Sequence, residues 1–142
     1  MIEYTASLVG IEPQHLAGFF VGWPHPPAPE THLRLLVGSD RVVLAIDRET
    51  GQVVGFVTAL TDGVLSAFIP LLEVLPVYQG QGIGRTLMTR LLAHLGDLPN
   101  VDLLCDPEMA PFYGRFGMTP VGGMVLRRPM SRAPAKADPA SG

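Results

Sequence analysis

With 142 residues, 47% of them apolar, the chain is long enough for one globular domain with a buried core. Ten basic residues stand against 13 acidic ones, a formal net charge of -3, so no overall basic field invites nucleic acid. The lone Cys105 excludes an internal disulfide framework and a cysteine-built zinc site, and it fits a reducing compartment.

The opening "MIEYTASLVGIEP" carries an acid early and has neither a basic leader nor a long apolar run, so a secretory signal is not expected. No stretch has the length needed to cross a bilayer, and the expected setting is the cytoplasm with no membrane partner. "IEYTASLV" alternates with period two and predicts a first strand. "QHLAGFFVGW" places Leu16, Phe19, Phe20 and Trp23 on one face of a short helix, which a stiff proline loop at Pro24–Pro29 stops. "ETHLRLLVGS" predicts a second helix closed by Gly38. "RVVLAIDRETGQVVGFVTAL" reads as a hairpin turning at "DRETG". After a turn at Thr61-Asp62-Gly63, "LSAFIPLLEVL" makes a further strand, apolar on both faces. Its Pro70 has no N–H to give to a ladder, which implies an edge or a bulge.

From Ile83 the period becomes helical. Ile83, Leu87, Met88, Leu91, Leu92 and Leu95 form one stripe, and Gly96 closes it. "VDLLC" follows as a short buried strand, "PEMAPFYGRFG" as a short helix and "MTPVGGMVLRR" as a hairpin-like pair. The Pro/Ala-rich stretch 129–142 is expected to be disordered, beyond a single domain over 1–128. The elements add up to an α/β chain with a mixed sheet, antiparallel first and crossing over through the Ile83–Leu95 helix.

Between strand and helix lies "VYQGQGIGRT", with glycines at 80, 82 and 84. A P-loop needs a lysine after its glycines, and none follows here. A dinucleotide fingerprint needs a third glycine where this chain has Leu87 or Arg85, and a Rossmann unit begins with such a loop rather than after three antiparallel-looking strands. The remaining reading is a pyrophosphate cradle from Gln79, Gly80, Gln81, Gly82, Ile83, Gly84 and Arg85. Successive N–H groups at a helix start, with the helix dipole behind them, would wrap the anion there. A plain strand-to-helix turn is the bland alternative.

"VLPVYQGQGIGRTLMTRLL" resembles the acetyl-CoA-binding motif of the GNAT superfamily of N-acetyltransferases, and "DPEMAPFYGRFGM" is similar to a later helix of that family. The resemblance implies an acyl-CoA N-acyltransferase fold: a mixed, mostly antiparallel central sheet flanked by helices and splayed between its fourth and fifth strands. It implies that the main chain of Leu72, Glu73 and Val74 pairs with the pantetheine arm of acetyl-CoA, that Gln79–Arg85 hold its pyrophosphate, and that Tyr113 stands where many members keep a general acid. No metal is called for, and a homodimer is open.

Transfer from a thioester to an amine needs a neutral amine, a polarised carbonyl and a proton for the departing thiolate. A phenol can supply that proton, and the Val74 N–H is a candidate donor to the thioester oxygen. The alternative for Tyr113 is a core aromatic beside Phe112 and Phe116, but its hydroxyl needs a partner and the family position favours function. Glu73, the only carboxylate side chain between Asp62 and Asp97, is either a proton relay with a raised pKa or a solvated strand residue. Among the histidines, His15 and His94 read as surface, while His25 and His32 lie where an acceptor could dock. Cys105 reads as a small buried strand residue. Arg127 and Arg128 are either an attraction for an acidic acceptor or plain solvated charges. The function expected is direct acetyl transfer to a primary amine, on a small molecule with an apolar or aromatic body given Phe19, Phe20 and Trp23. Acetylation of a protein N-terminus or lysine, and a non-catalytic acyl-CoA-binding module, are the rivals.

Overall fold

A computed structural model describes residues 1–130. It has six strands, β1 (Ile2–Thr5), β2 (Arg41–Asp47), β3 (Val53–Thr61), β4 (Ser66–Ile69), β5 (Leu72–Val74) and β6 (Asn100–Leu103), and three α-helices, α1 (Pro29–Gly38), α2 (Ile83–Leu95) and α3 (Ala110–Gly114). The sheet runs β1-β2-β3-β4-β6, with β5 also on β3. Every pairing is antiparallel except β4 with β6, which α2 connects as a crossover.

Alternation along the strands divides the core between the two sheet faces. Val43 and Ala45 pack with Ala59, Ala67 and Ile69 under the α2 stripe of Ile83, Leu87, Met88, Leu91 and Leu95. On the other face Val42, Leu44, Ile46 and Phe56 meet Leu36 of α1 and the chain segment holding Leu16, Phe19 and Phe20. α2 begins at Gly82, whose φ of 81° suits a residue without a Cβ, and ends at Gly96, as its sequence predicts.

The strand expected over "LSAFIPLLEVL" is interrupted at Pro70. β4 pairs with the end of β3 through Leu60↔Phe68, while β5 pairs further back through Val57↔Leu72, a register that leaves one extra residue on this strand. A proline can occupy a bulge because no ladder N–H is required of it there. The same bulge parts two neighbours. β4 and β6 are paired as far as Ile69↔Leu103, whereas β5 follows β3 and has no strand on its other side.

Several elements differ from expectation. β1 stops at Thr5 because the next amides turn onto local hydroxyls, Ser7 N–H to Thr5 Oγ1 and Val9 N–H to Ser7 Oγ. "QHLAGFFVGW" holds one 3-10 turn at Pro13–Leu16 and no α-helix. Gly18, Phe20 and Gly22 all take positive φ (93°, 64° and 82°), which no right-handed helix accommodates. β6 is half-buried rather than buried, being a sheet edge, and Leu104 and Cys105 beyond it are exposed. "MTPVGGMVLRR" forms no strand: Pro120 and the Gly122-Gly123 pair interrupt its alternation, and Val121 and Met124 are exposed. The tail expected to be disordered lies outside the described residues from 131 onward.

Candidate active site

The parting of β5 from β6 leaves a cleft of about 810 Å³ between Leu72–Val74 on one side and Leu103–Asp106 on the other. Its wall also carries Val21, Trp23, Gln79, Tyr113 and Arg127. Five of the residues expected to hold cofactor or do chemistry (Leu72, Glu73, Val74, Gln79 and Tyr113) therefore meet in one place. Gly80, Gln81, Gly82, Ile83, Gly84 and Arg85 do not line the cleft but continue from Gln79 into the start of α2.

The main chain of β5 is sided. Leu75 N–H donates to Val54 O at 2.8 Å and Thr58 N–H to Leu71 O at 3.1 Å, so odd-numbered residues of this strand face β3. By the two-residue period of an antiparallel ladder, Leu72 and Val74 turn their N–H and C=O groups toward the cleft, while those of Glu73 are spent on β3. The Val74 carbonyl accepts from the Gln79 side chain at 3.0 Å. Of the three residues expected to pair with an extended ligand, two turn their main chain toward the cleft.

Next along the chain, Pro76–Tyr78 form a 3-10 turn pinned by the Tyr78 hydroxyl, which donates to Asp47 Oδ2 at 2.6 Å. This bond, first among its causes, holds the Asp47 carboxyl below the usual range, and it raises Tyr78 correspondingly. Gly80 and Gly82 both sit at φ 81°, a left-handed conformation that a side chain would strain. Among the described residues, the N–H groups from Gly80 to Arg85 donate to no acceptor in the chain; the first helical bond here is Thr86 N–H to Gly82 O at 3.1 Å. Free donors at the positive end of a thirteen-residue helix are what an anionic group requires. Gly84 faces α3, where a Cβ would meet the Phe112 ring at 3.6 Å, an ordinary contact.

Tyr113 stands on α3, half-buried, with its ring edge-on to Phe112 at 5.0 Å. Burial raises its pKa above the ordinary 10, and Cys105 adds to the rise, so the phenol keeps its proton at any physiological pH. Cys105, expected in the core, instead lines the cleft near it.

The alternation that aims Leu72 and Val74 at α2 puts Glu73 on the opposite face, with Leu71 and Leu75. There its carboxylate accepts the Phe20 N–H through both oxygens at 2.9 Å, and the Val21 N–H at 3.4 Å. Phe19 and Phe20 are core residues, whereas Val21 and Trp23 reach the cleft. His32 is not at an acceptor surface: it is 1% exposed, ringed by Phe19, Phe20 and Phe56. His25 and His94 are exposed, and His15 Nδ1 accepts the Glu12 N–H. Sequence reasoning missed Val21, Leu104 and Asp106 as cleft residues; no motif marks them, since topology alone brings them there. Among the described residues no three His, Cys, Asp or Glu side chains cluster as a metal site would require, and no helix is long and apolar enough to cross a membrane.

A parted sheet with a free main-chain edge, a donor-lined helix start and a half-buried phenol suits an acyltransferase. The model of the acetyltransferase (GNAT) family matches residues 8–118, and the chain belongs to that family. Among curated proteins it is 32% identical over 131 residues to the chloroplastic serotonin N-acetyltransferase 2 of Oryza sativa subsp. japonica, covering 86% of this chain and 66% of that one. It is 28% identical over 102 residues to an uncharacterized N-acetyltransferase, ycf52, of Gracilaria tenuistipitata var. liui, covering 68% and 55%. The chain thus spans between about half and two thirds of the length of these relatives. Among solved structures, a provisionally assigned acetyltransferase of Deinococcus radiodurans R1 superposes with a TM-score of 0.87 at 50% identity, covering 89% of this chain and 88% of the other. A GNAT-family acetyltransferase of Streptococcus pneumoniae TIGR4 gives 0.72 at 28% identity, covering 94% and 100%.

Proposed function

We propose that the protein moves the acetyl group of acetyl-CoA directly to a primary amine of a small molecule, with both bound at once in the cleft. The observation that carries this reading is the meeting, in one cleft, of β5's unpaired main chain with Tyr113, next to the free donors that begin α2. Acetyl-CoA supplies an activated thioester. Leu72 and Val74 would hold an extended arm through their outward N–H and C=O groups, as a neighbouring strand would. The N–H groups of Gly80–Arg85 would take the pyrophosphate, Gln79 preceding them on the cleft wall. The Val74 N–H is the candidate donor to the acyl oxygen as it gains charge. Tyr113, protonated and half out of water, is matched to protonate a departing thiolate.

The rice relative is named for its action on an arylalkylamine, serotonin, and the rim residues Trp23 and Val21 suit an amine with an apolar or aromatic body. A peptide N-terminus or lysine is the second acceptor class. The cytoplasm is part of the same reading, supported by an unpaired, exposed Cys105.

The test is thiol release from acetyl-CoA with a panel of arylalkyl-, alkyl- and peptidyl amines. Tyr113→Phe is expected to lower kcat by a factor on the order of 10²–10⁴ while leaving acetyl-CoA affinity unchanged. Tight acetyl-CoA binding with no turnover of any amine would make the protein a binding module instead. A Tyr113→Phe protein as fast as wild type would remove the tyrosine from the mechanism.

A further inference from the structure

The segment that carries Trp23 to the cleft has no regular structure to hold it. Between the 3-10 turn at Pro13–Leu16 and α1, it passes through positive φ at Gly18, Phe20 and Gly22. At the two glycines that conformation is open to the chain; at Phe20, with φ 64°, it is strained and persists only if its surroundings impose it. Two sets of contacts do so. The Phe20 ring is buried edge-on among His32 at 4.9 Å, Trp23 at 5.0 Å and Phe56 at 6.1 Å. Its N–H is gripped by both carboxylate oxygens of Glu73 at 2.9 Å, and the Val21 N–H reaches one of them at 3.4 Å.

This bridge joins the segment carrying Val21 and Trp23 to β5, and both line the cleft. Glu73 lies between Leu72 and Val74, so its backbone is part of β5 while its side chain fixes a segment 53 residues earlier in the chain. Val21 and Trp23 then follow directly and line the same cleft as Tyr113 and Arg127. An ionised carboxylate has about four acceptor sites, and these contacts occupy three of them. Lone pairs committed to main-chain donors are poorly placed to take an ammonium proton.

We propose that Glu73 is a positioning residue: through Phe20 and Val21 it holds Val21 and Trp23 in the conformation that forms the amine-binding wall, and it does not serve as the base. The inference rests on the acyl-transfer reading for its substrate, but its structural half stands without it. Trp23 is the only tryptophan in the chain and packs on Phe20, so its emission reports the bridge in the ligand-free protein.

Three variants separate the roles. Glu73→Ala removes the acceptor altogether. It is expected to shift Trp23 emission and to lower kcat/KM for the amine by about ten- to a hundredfold, chiefly through KM, the range set by losing a charged hydrogen-bond acceptor. Its acetyl-CoA affinity stays within about twofold of wild type, because the outward groups of β5 are untouched. Glu73→Gln keeps one carbonyl oxygen for Phe20 and cannot act as a base at any pH; it is expected to retain wild-type emission and most of the activity. Trp23→Ala leaves the anchor intact and raises the same amine KM, which guards against a Glu73→Ala protein that fails to fold. The proposal is overturned if Glu73→Gln is as inactive as Glu73→Ala while Trp23 emission is unchanged in both, the signature of a base. It is equally overturned if Glu73→Ala shifts neither emission nor amine KM. Should wild type turn over no amine, the acyl-transfer reading falls by itself, and the emission of Glu73→Ala still decides whether Glu73 anchors the segment.

Discussion

His32 makes the protein's stability depend on pH in a way that can be worked from its surroundings. The ring lies 1% exposed in α1, between Phe19, Phe20 and Phe56, and neither of its nitrogens finds a hydrogen-bond partner. Burial lowers its pKa from 6.5 to about 4; the nearby Leu16 carbonyl opposes this slightly without forming a regular hydrogen bond. Below pH 6.5 the unfolded chain binds a proton that the native protein refuses, so stability falls as pH drops and the loss levels off below about 4. At 1.36 kcal/mol per pKa unit, the loss between pH 7 and pH 4.5 is about 2 kcal/mol. That window is chosen because the two carboxyls held below their ordinary 3.8, Asp47 and Asp62, remain ionised throughout it. The assay is urea unfolding of wild type and His32→Leu at both pH values. Leucine fills the aromatic nest without two unpaired nitrogens, so the variant is expected to match or exceed wild-type stability at pH 7. Its stability should also decline less on acidification, by about that same 2 kcal/mol. Equal declines in the two proteins would refute the reasoning, because they would mean that His32 titrates alike in the native and unfolded states.

Two further outcomes test the packing around the site. Gly55→Ala on β3 would place a Cβ 3.1 Å from Leu87 Cδ1, 3.2 Å from Ile83 Cγ2 and 3.3 Å from the Glu73 carbonyl oxygen. A stability loss of about 1–3 kcal/mol by urea unfolding is expected, with acetyl-CoA binding weakened as β5 shifts; no loss would show that the sheet yields there freely. Tyr78→Phe removes the hydroxyl that lowers the Asp47 carboxyl. Asp47, followed by its carboxyl resonance, should titrate nearer 3.8, and an unmoved titration would contradict the assigned cause. Because that carboxyl is depressed in the folded protein, its contribution is present above 3.8 and disappears as pH falls through its native value. The variant should therefore lose stability at neutral pH and less on acidification.

What could be read in advance depended on how local its cause was. α2 was legible from its first residue to its last, because a stripe at helical spacing and two bounding glycines are written in consecutive residues. Pro70 announced an edge or a bulge, because a missing N–H is a property of one residue, and the fold makes it a bulge. The segment 17–23 was misread as a helix for the opposite reason. Its apolar residues do reach the core, and spacing alone could not show that Phe20 would be held at positive φ by a strand 53 residues away. The role of Glu73 was hidden in the same manner. Alternation with Leu71 and Leu75 was enough to place it on the face away from α2, but its partners are main-chain N–H groups, which every residue but proline carries and no motif records. A carboxylate in an apolar strand thus offered two visible explanations, base or solvent, while the one found in the fold needed both ends of a contact that the sequence shows only one of.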